Sequence, residues 1–282
     1  MYSFVQHNGL LINNNFLRML QDAGLADYEK LKFHEDTDLI KKTRFRSVIR
    51  LDIQGRPFFL KRHFRPLRER LQSLIPLTAK EDAGNEWSNM LLLDRLGIRT
   101  MVPVAFGEES SLGMPSFSLT LTEGLSDAVK LKPYIMRNFA MPLSPDSIIR
   151  KRELIRRMAA FVRDFHNKGF NHQDMYLGHL FYRESDSSIF VTDIQRVHQR
   201  SSIRKLDRIK DLAQLCYSAM TTGVISRTDL MRFAYDYFQC RKLGRQEKGL
   251  IRSILWKAGR ISRHDKKLRA SRKEKGQQAG AA

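Results

Sequence analysis

The chain has 282 residues, 50 of them Lys or Arg against 30 Asp or Glu, for a formal net charge of +20 and a pI of about 10.2. At 42% hydrophobic residues it is globular rather than disordered, and long enough for one two-lobed domain or two small ones. Its two cysteines, Cys216 and Cys240, form no C-x-x-C pair, which excludes a disulfide framework and a thiolate zinc site and fits a reducing compartment. The positive charge calls for an anionic partner, which composition alone leaves as nucleic acid, a phosphate-rich substrate or an anionic membrane face.

In chain order, Met1 to Leu20 lacks a basic leader followed by an apolar core, so no signal peptide is expected, and no apolar run approaches membrane-spanning length. Asn14 to Leu20 reads as a short capped helix ending near Gly24. Asp38–Thr43, Phe45–Ile53 and Phe58–Lys61 read as strands, the last two joined by a tight turn at Gln54-Gly55, with Lys61 closing the third apolar run. The first hairpin holds no G-x-G-x-x-G; Lys41-Lys42-Thr43-Arg44-Phe45-Arg46 stands there instead. Its basic side chains and backbone N–H groups, with Lys42 and Thr43 as named candidates, could cover phosphates. Residues 62 to 76 set Arg62, His63, Arg65, Arg68 and Arg70 among Phe64, Leu67, Leu71, Leu74 and Ile75. That pattern suits a basic amphipathic helix on an anionic lipid surface, or an ordinary linker. Ala83–Leu96 is a strong helix stopped by Gly97, with Glu86 in its first half and Glu81 as a competing acid near its start. Arg99–Phe106 and Phe117–Thr122 complete a five-stranded small lobe, and Glu123-Gly124 follows at the place of a hinge, which makes Glu123 a nucleotide-site candidate.

Beyond residue 124 the pattern turns helical. Ile148–Asn167, capped by Ser144-Pro145-Asp146, stops at Gly169 and feeds the stretch Gly169 to Tyr182, a short polar loop that leads into a hydrophobic run. Asp174 and His179 stand five positions apart in that loop, and the short β-rich run Ser188–Asp193 ends in a second carboxylate, Asp193. A loop carboxylate followed by a metal ligand, then a strand-end acid, is the layout of a kinase catalytic loop and its magnesium site. Taken singly, an Asp in a polar loop is more often a turn or cap residue. In the same scheme Lys61 contacts nucleotide phosphates, Glu86 pins Lys61, and Asp211, in a helix over Ile203–Thr222, holds the loop backbone. Ser226–Tyr237 and Glu247–Trp256 are further helices, and Arg263–Lys275 is a basic tail.

These residues resemble the lipopolysaccharide core kinases of the Kdo/WaaP group, which are similar to eukaryotic-type protein kinases. The family loop reads roughly His-Arg-Asp-x-Tyr-x-x-His-Phe, and here it is His172-Gln173-Asp174-Met175-Tyr176-Leu177-Gly178-His179-Leu180. The family's magnesium segment, Asp-Leu-His-Arg, is here Asp193-Ile194-Gln195-Arg196; Asn85-Glu86-Trp87 and Lys210-Asp211-Leu212-Ala213 match as well. Gln173, Leu180 and Gln195 depart from the pattern, and no catalytic group is lost with them. The resemblance implies a two-lobed α+β protein-kinase-like fold: an N-terminal extension over 1–36, an N-lobe over 37–124, a C-lobe over 125–262 and a disordered basic tail over 263–282. It further implies transfer of phosphate from ATP, with Mg2+, to a heptose or Kdo of the lipopolysaccharide core, on the anionic cytoplasmic face of the inner membrane. In that scheme Asp174 handles the acceptor hydroxyl, Lys61 and Glu86 the nucleotide, His179 and Asp193 the metal, and His172 and Asp211 the support. No helix-turn-helix, zinc-finger or RNA-binding signature points to nucleic acid. A protein kinase or another small-molecule kinase of the same fold, and a non-catalytic basic nucleic-acid-binding or scaffold protein, are the competing readings.

Overall fold

In a computed structural model, residues 2–66, 83–111 and 114–279 are described. They divide into two compact units: Met1–Ala128 with Phe190–Arg196, and Val129–Ile189 with Val197–Ala282.

The first unit is a seven-stranded antiparallel sheet of order β1-β2-β6-β7-β5-β4-β3 with helix α3 beside it. Its strands are β1 (Phe4–His7), β2 (Leu10–Asn13), β3 (Leu39–Thr43), β4 (Arg46–Ile53), β5 (Arg56–Phe64), β6 (Val102–Ser111) and β7 (Met114–Glu123); its helices are α1 (Leu17–Asp22), α2 (Tyr28–Lys32) and α3 (Ala83–Arg95). The Gln54-Gly55 turn forms as read, both residues at positive φ, and puts Ile53 opposite Arg56. The expected five-stranded sheet is corrected to seven. Residues 1–36 are no separate extension, since β2 pairs with β6 through Leu11–Phe106 and Ile12–Ala105, and Leu10, Ile12, Phe16, Leu20 and Leu31 are buried in the same core as Ile49, Phe58 and Leu121. Gly107 is the close-approach point: a Cβ there would sit 2.4 Å from the Tyr28 ring. Of the expected helix over 62 to 76, Arg62, His63 and Phe64 belong to β5; its remainder from residue 67, and Glu81, lie outside the described residues.

The second unit is mainly helical: α4 (Leu131–Asn138), α5 (Pro145–Asn167), α6 (Lys205–Met220), α7 (Arg227–Phe238) and α8 (Arg245–Ala279), with short strands β8 (Val129–Lys130), β9 (Phe170–Asn171), β10 (Leu180–Arg183) and β12 (His198–Gln199); β11 (Ser188–Val191) carries the chain from this unit into the first. Ser144 caps α5 with Pro145 at its first position, and Ser226 and Asp229 form a capping box on α7. Asp229 also binds the buried Lys151 of α5 at 2.7 Å, so the charge that caps one helix fixes it to another. Burial works to raise Asp229, but the bonds from Lys151 and Ser226 outweigh it and hold the carboxyl below its ordinary value. The last helix does not stop at Trp256, and the tail expected to be disordered continues it as helix to Ala279. Its Lys, Arg, Gln and Ala residues are strong helix formers, and its first half is anchored by buried Ile254 and Ala258.

Gly169 ends α5 at φ +80°, and a Cβ there would lie 1.8 Å from the Arg200 carbonyl oxygen, because β9 and β12 bring the backbones together with Arg200 N–H donating to the Gly169 carbonyl at 3.0 Å. Gly97 ends α3 at φ +69° with nothing within 4 Å of its Cβ position. Gly97→Ala should therefore cost about 1 kcal/mol, the strain of the backbone alone. Gly169→Ala, which adds a backbone collision, should cost well over about 2 kcal/mol. Paired thermal unfolding of the two variants checks the order.

Candidate active site

Lys61 lies in the middle of β5, opposite Val48 of β4 and Thr120 of β7, and is 9% exposed. Glu86, in the first turn of α3, is fully buried, and Lys61 Nζ donates a hydrogen bond to its Oε1. The other oxygen, Oε2, accepts from Gln195 Nε2 at 3.1 Å, and Gln195 Oε1 accepts from Arg46 at 3.0 Å. The chemistry fixes the amide's orientation: a guanidinium only donates and an ionised carboxylate only accepts. Burial pushes Glu86 up, but the Lys61 charge and hydrogen bond, the Gln195 bond and the Arg46 charge outweigh it and hold the carboxyl below its ordinary value.

Three further bonds anchor the segment of Asp193. Val191 N–H donates to the Arg99 carbonyl at 3.0 Å, Thr100 Oγ1 donates to the Val191 carbonyl at 2.7 Å, and Asn89 Nδ2 donates to the Ile194 carbonyl at 2.8 Å. Asp193 stands between these ties at φ +56°, a conformation that Asp tolerates better than most residues and that such ties hold in place. Gln195, read as a departure, is thus a buried member of the site, and the half-buried Arg46 belongs to it as well. Only the family comparison of Asp193-Ile194-Gln195-Arg196 drew the eye to Gln195, and nothing in the sequence singled out Arg46 within its basic hairpin.

In the second unit the loop from His172 to Leu177 is held by one face of α6. Asp211, fully buried, accepts the backbone N–H groups of His172 at 2.7 Å and Gln173 at 2.9 Å. One turn on, Gln214 accepts the Met175 N–H at 3.1 Å and donates to the Gln173 carbonyl at 2.7 Å and to Asp174 Oδ1 at 3.4 Å. One turn further, Ser218 accepts the Leu177 N–H at 3.0 Å. His172 Nδ1 accepts the Asp174 N–H at 3.3 Å, and Gln173 is held at φ +68°. His166 stands behind Asp211, with Nε2 at 3.4 Å from Oδ2 and Tyr237 O–H at 2.8 Å from Nδ1; burial lowers its pKa and keeps the ring neutral. Gln214 and Ser218 were missed. The signal for them is three polar residues at i, i+3 and i+7 on the otherwise apolar buried side of one helix.

His179 Nδ1 lies 2.8 Å from the Asp174 carbonyl, which can only accept. Nδ1 is therefore the donor, which in the neutral ring leaves the lone pair on Nε2, the form in which a second-shell carbonyl prepares a histidine to bind a metal. Among the described residues no cluster of three or more His, Cys, Asp or Glu could hold a metal by itself. Lys42 pairs with Asp36 at 2.8 Å, and Thr43 Oγ1 donates to the Arg46 carbonyl at 3.3 Å; both are exposed at the end of β3. Glu123, at the end of β7, accepts from Arg56 Nε at 2.9 Å.

Two outcomes follow. Asp211→Ala strips two buried backbone N–H groups of their acceptor and should cost about 3 kcal/mol, read by denaturant unfolding. A carboxyl held below its unfolded value adds stability above that value, and the gain is lost as pH falls through the folded pKa. Wild type should therefore lose its advantage over Glu86→Gln as the pH drops below the ordinary 4.5, while the variant's own profile stays flatter, as thermal unfolding against pH will register.

The family model of the lipopolysaccharide kinase (Kdo/WaaP) family matches residues 28–237. The lipopolysaccharide core heptose(I) kinase WaaP of Escherichia coli is 31% identical over 248 residues, 84% of this chain and 92% of the relative. The Pseudomonas aeruginosa protein of the same name is 31% identical over 229 residues, 77% and 83% of the two chains. A solved structure of WaaP in complex with acyl carrier protein superposes with a TM-score of 0.68 at 28% identity, covering 89% of this chain and 98% of that one.

Proposed function

The chain belongs to the lipopolysaccharide kinase (Kdo/WaaP) family, and from that premise we propose that it moves the γ-phosphoryl group of ATP, with magnesium, onto a hydroxyl of an inner-core heptose. It is a phosphotransferase of the lipopolysaccharide core acting on a sugar hydroxyl. ATP as donor, magnesium as metal and heptose rather than Kdo as acceptor are our reading, the last taken from the relatives' named substrate.

The observation that carries the reading is the buried pair of Lys61 and Glu86. Taking two charges out of water costs several kcal/mol per ion, which mutual attraction does not reliably return. A sheet that needed only packing would carry apolar residues here. A cation held at a fixed point by an ionised carboxylate is what phosphate binding requires. Magnesium, when bound, would neutralise phosphate charge, and His179, with its lone pair on Nε2, and Asp193 are the residues we assign to it. Asp174 accepts the proton of the sugar hydroxyl and holds the hydroxyl for attack. His172 and Asp211 fix the backbone that carries Asp174, by an N–H to the His172 ring and two N–H bonds to the Asp211 carboxylate. Lys42, Thr43 and Glu123 are also assigned to the nucleotide, and each side chain is engaged with a neighbour.

Among the described residues no helix is long and apolar enough to cross a membrane. We place the protein on the cytoplasmic face of the inner membrane, where a lipid-linked acceptor and ATP meet. Acyl carrier protein, the partner in the solved WaaP complex, is carried to this chain as a second candidate partner, to be tested by co-purification.

With core lipopolysaccharide lacking core phosphate, wild type should place labelled γ-phosphate on heptose. Asp174→Asn should fall about a thousand-fold in kcat with its unfolding midpoint unchanged. Label on protein, or on Kdo alone, would overturn the acceptor assignment. Gln195→Leu removes the hold on Glu86 Oε2 and on Arg46, and should raise the KM for ATP several-fold more than it lowers kcat. Initial rates at varied ATP separate the two.

A further inference from the structure

The exposed side of α8 has no part in the site described above. At 3.6 residues per turn, Arg245, Lys248, Arg252, Arg260, Arg263 and Lys267 fall within about 60° of one line along the helix. All are exposed. Trp256 sits in the middle of this row, 63% exposed, with Arg260 over its ring at 5.0 Å, and Leu255, 48% exposed, stands beside the row at the mouth of an apolar cavity. The acids over the same stretch, Glu247 and Asp265, fall on the other side, and Asp265 is bonded there to Tyr217 of α6 and Arg269. The opposite face is fixed to the protein by buried Ile254 and Ala258.

A solvated charged helix ordinarily interleaves acids with bases, because alternating signs at i and i+4 stabilise it. Here basic residues repel one another along about 33 Å of helix from Arg245 to Lys267, around a large indole left in water. That arrangement costs stability unless a continuous anionic surface lies against it. We propose that this face of α8 is the surface by which the protein rests on an anionic bilayer: the Lys and Arg side chains reach phosphate headgroups, and Trp256 and Leu255 enter the interfacial layer. The proposal rests on the reading of a lipid-linked acceptor, and it moves the membrane contact from residues 62 to 76, where the sequence suggested one, to the last helix. A bilayer suits the row better than a protein partner. The row is long, of a single charge sign, and punctuated by an aromatic of the kind that favours the headgroup boundary.

The test uses the full chain and sedimentation with vesicles of phosphatidylcholine, with or without phosphatidylglycerol. Wild type should bind the anionic vesicles alone, and less as salt shortens the screening length. The triple variant Arg252→Gln/Arg263→Gln/Lys267→Gln should bind about a hundred-fold more weakly, at roughly five-fold per basic residue lost near such a surface. Trp256→Ser should weaken binding severalfold without changing the salt dependence. Both variants alter exposed positions, and circular dichroism checks that they fold. Equal binding by wild type and the triple variant, or no binding by wild type to anionic vesicles, overturns the proposal. So does a triple variant that keeps vesicle binding while losing acyl carrier protein. Phosphoryl transfer to a delipidated core oligosaccharide is measured in parallel. Its absence in wild type would reject the kinase reading while leaving vesicle binding to be judged by itself, whereas equal transfer by wild type and triple variant, with a loss only on vesicle-borne acceptor, supports both.

Discussion

The first unit depends on keeping the Glu86 carboxylate ionised with none of its surface in water. A carboxylate so placed needs a cation and further donors, and every one of them constrains a different element. Lys61 ties α3 to β5, Gln195 ties it to the segment that carries Asp193, and Arg46 ties that segment to the start of β4. The sheet around it can be apolar and ordinary, with Leu60, Ile49 and Leu121 packed as strand residues pack, because the position of the cation is set by the relay rather than by the strand. Moving Lys61 unpairs a buried charge, which costs about 3–5 kcal/mol, and moving Gln195 or Arg46 breaks a further bond of the relay, so the site's geometry and the unit's stability are enforced by the same bonds.

The second unit solves the opposite problem. A polar loop must be buried at its root and still present an acid, and its backbone N–H groups from His172 to Leu177 need acceptors. A helix face answers for them: Asp211, Gln214 and Ser218 follow one another along α6 in the same order as His172, Met175 and Leu177 along the loop. Asp211 takes two N–H groups as a carboxylate, and the neutral His166 stands behind it without adding charge. Since the loop is bonded through its backbone, its side-chain identities are left open, which is why Gln173 can stand where the family carries Arg without disturbing Asp174.

Most of this was legible wherever local rules decide the outcome. The turn at Gln54-Gly55, the Ser144-Pro145 start of α5 and the stop at Gly97 are each written in two or three residues, and they formed within a few positions of their expected places. The chemistry-bearing residues Lys61, Glu86, Asp174, His179, Asp193 and Asp211 stood out because a known layout gave them roles. Sheet membership of β1 and β2 was not legible, because the pairing of Leu11 with Phe106 spans nearly a hundred residues and leaves no local mark. Arg46 was hidden for a different reason: among 50 Lys and Arg, the one whose guanidinium turns inward to a buried amide looks like all the others.

Gln195 is where the departure from the family pattern becomes physically informative. The position must accept from Arg46 and donate to Glu86. A histidine can do both only as one neutral tautomer, and it would lose its acceptor on protonation, which falls within the ordinary range of working pH. An amide does both at every pH, because its oxygen and its nitrogen have fixed and opposite roles. Substituting Gln keeps the connectivity of the relay and removes its titration. Control of Glu86, and through it of Lys61, then lies with the fixed charges of Arg46 and Lys61 rather than with a group that changes state as the surroundings change.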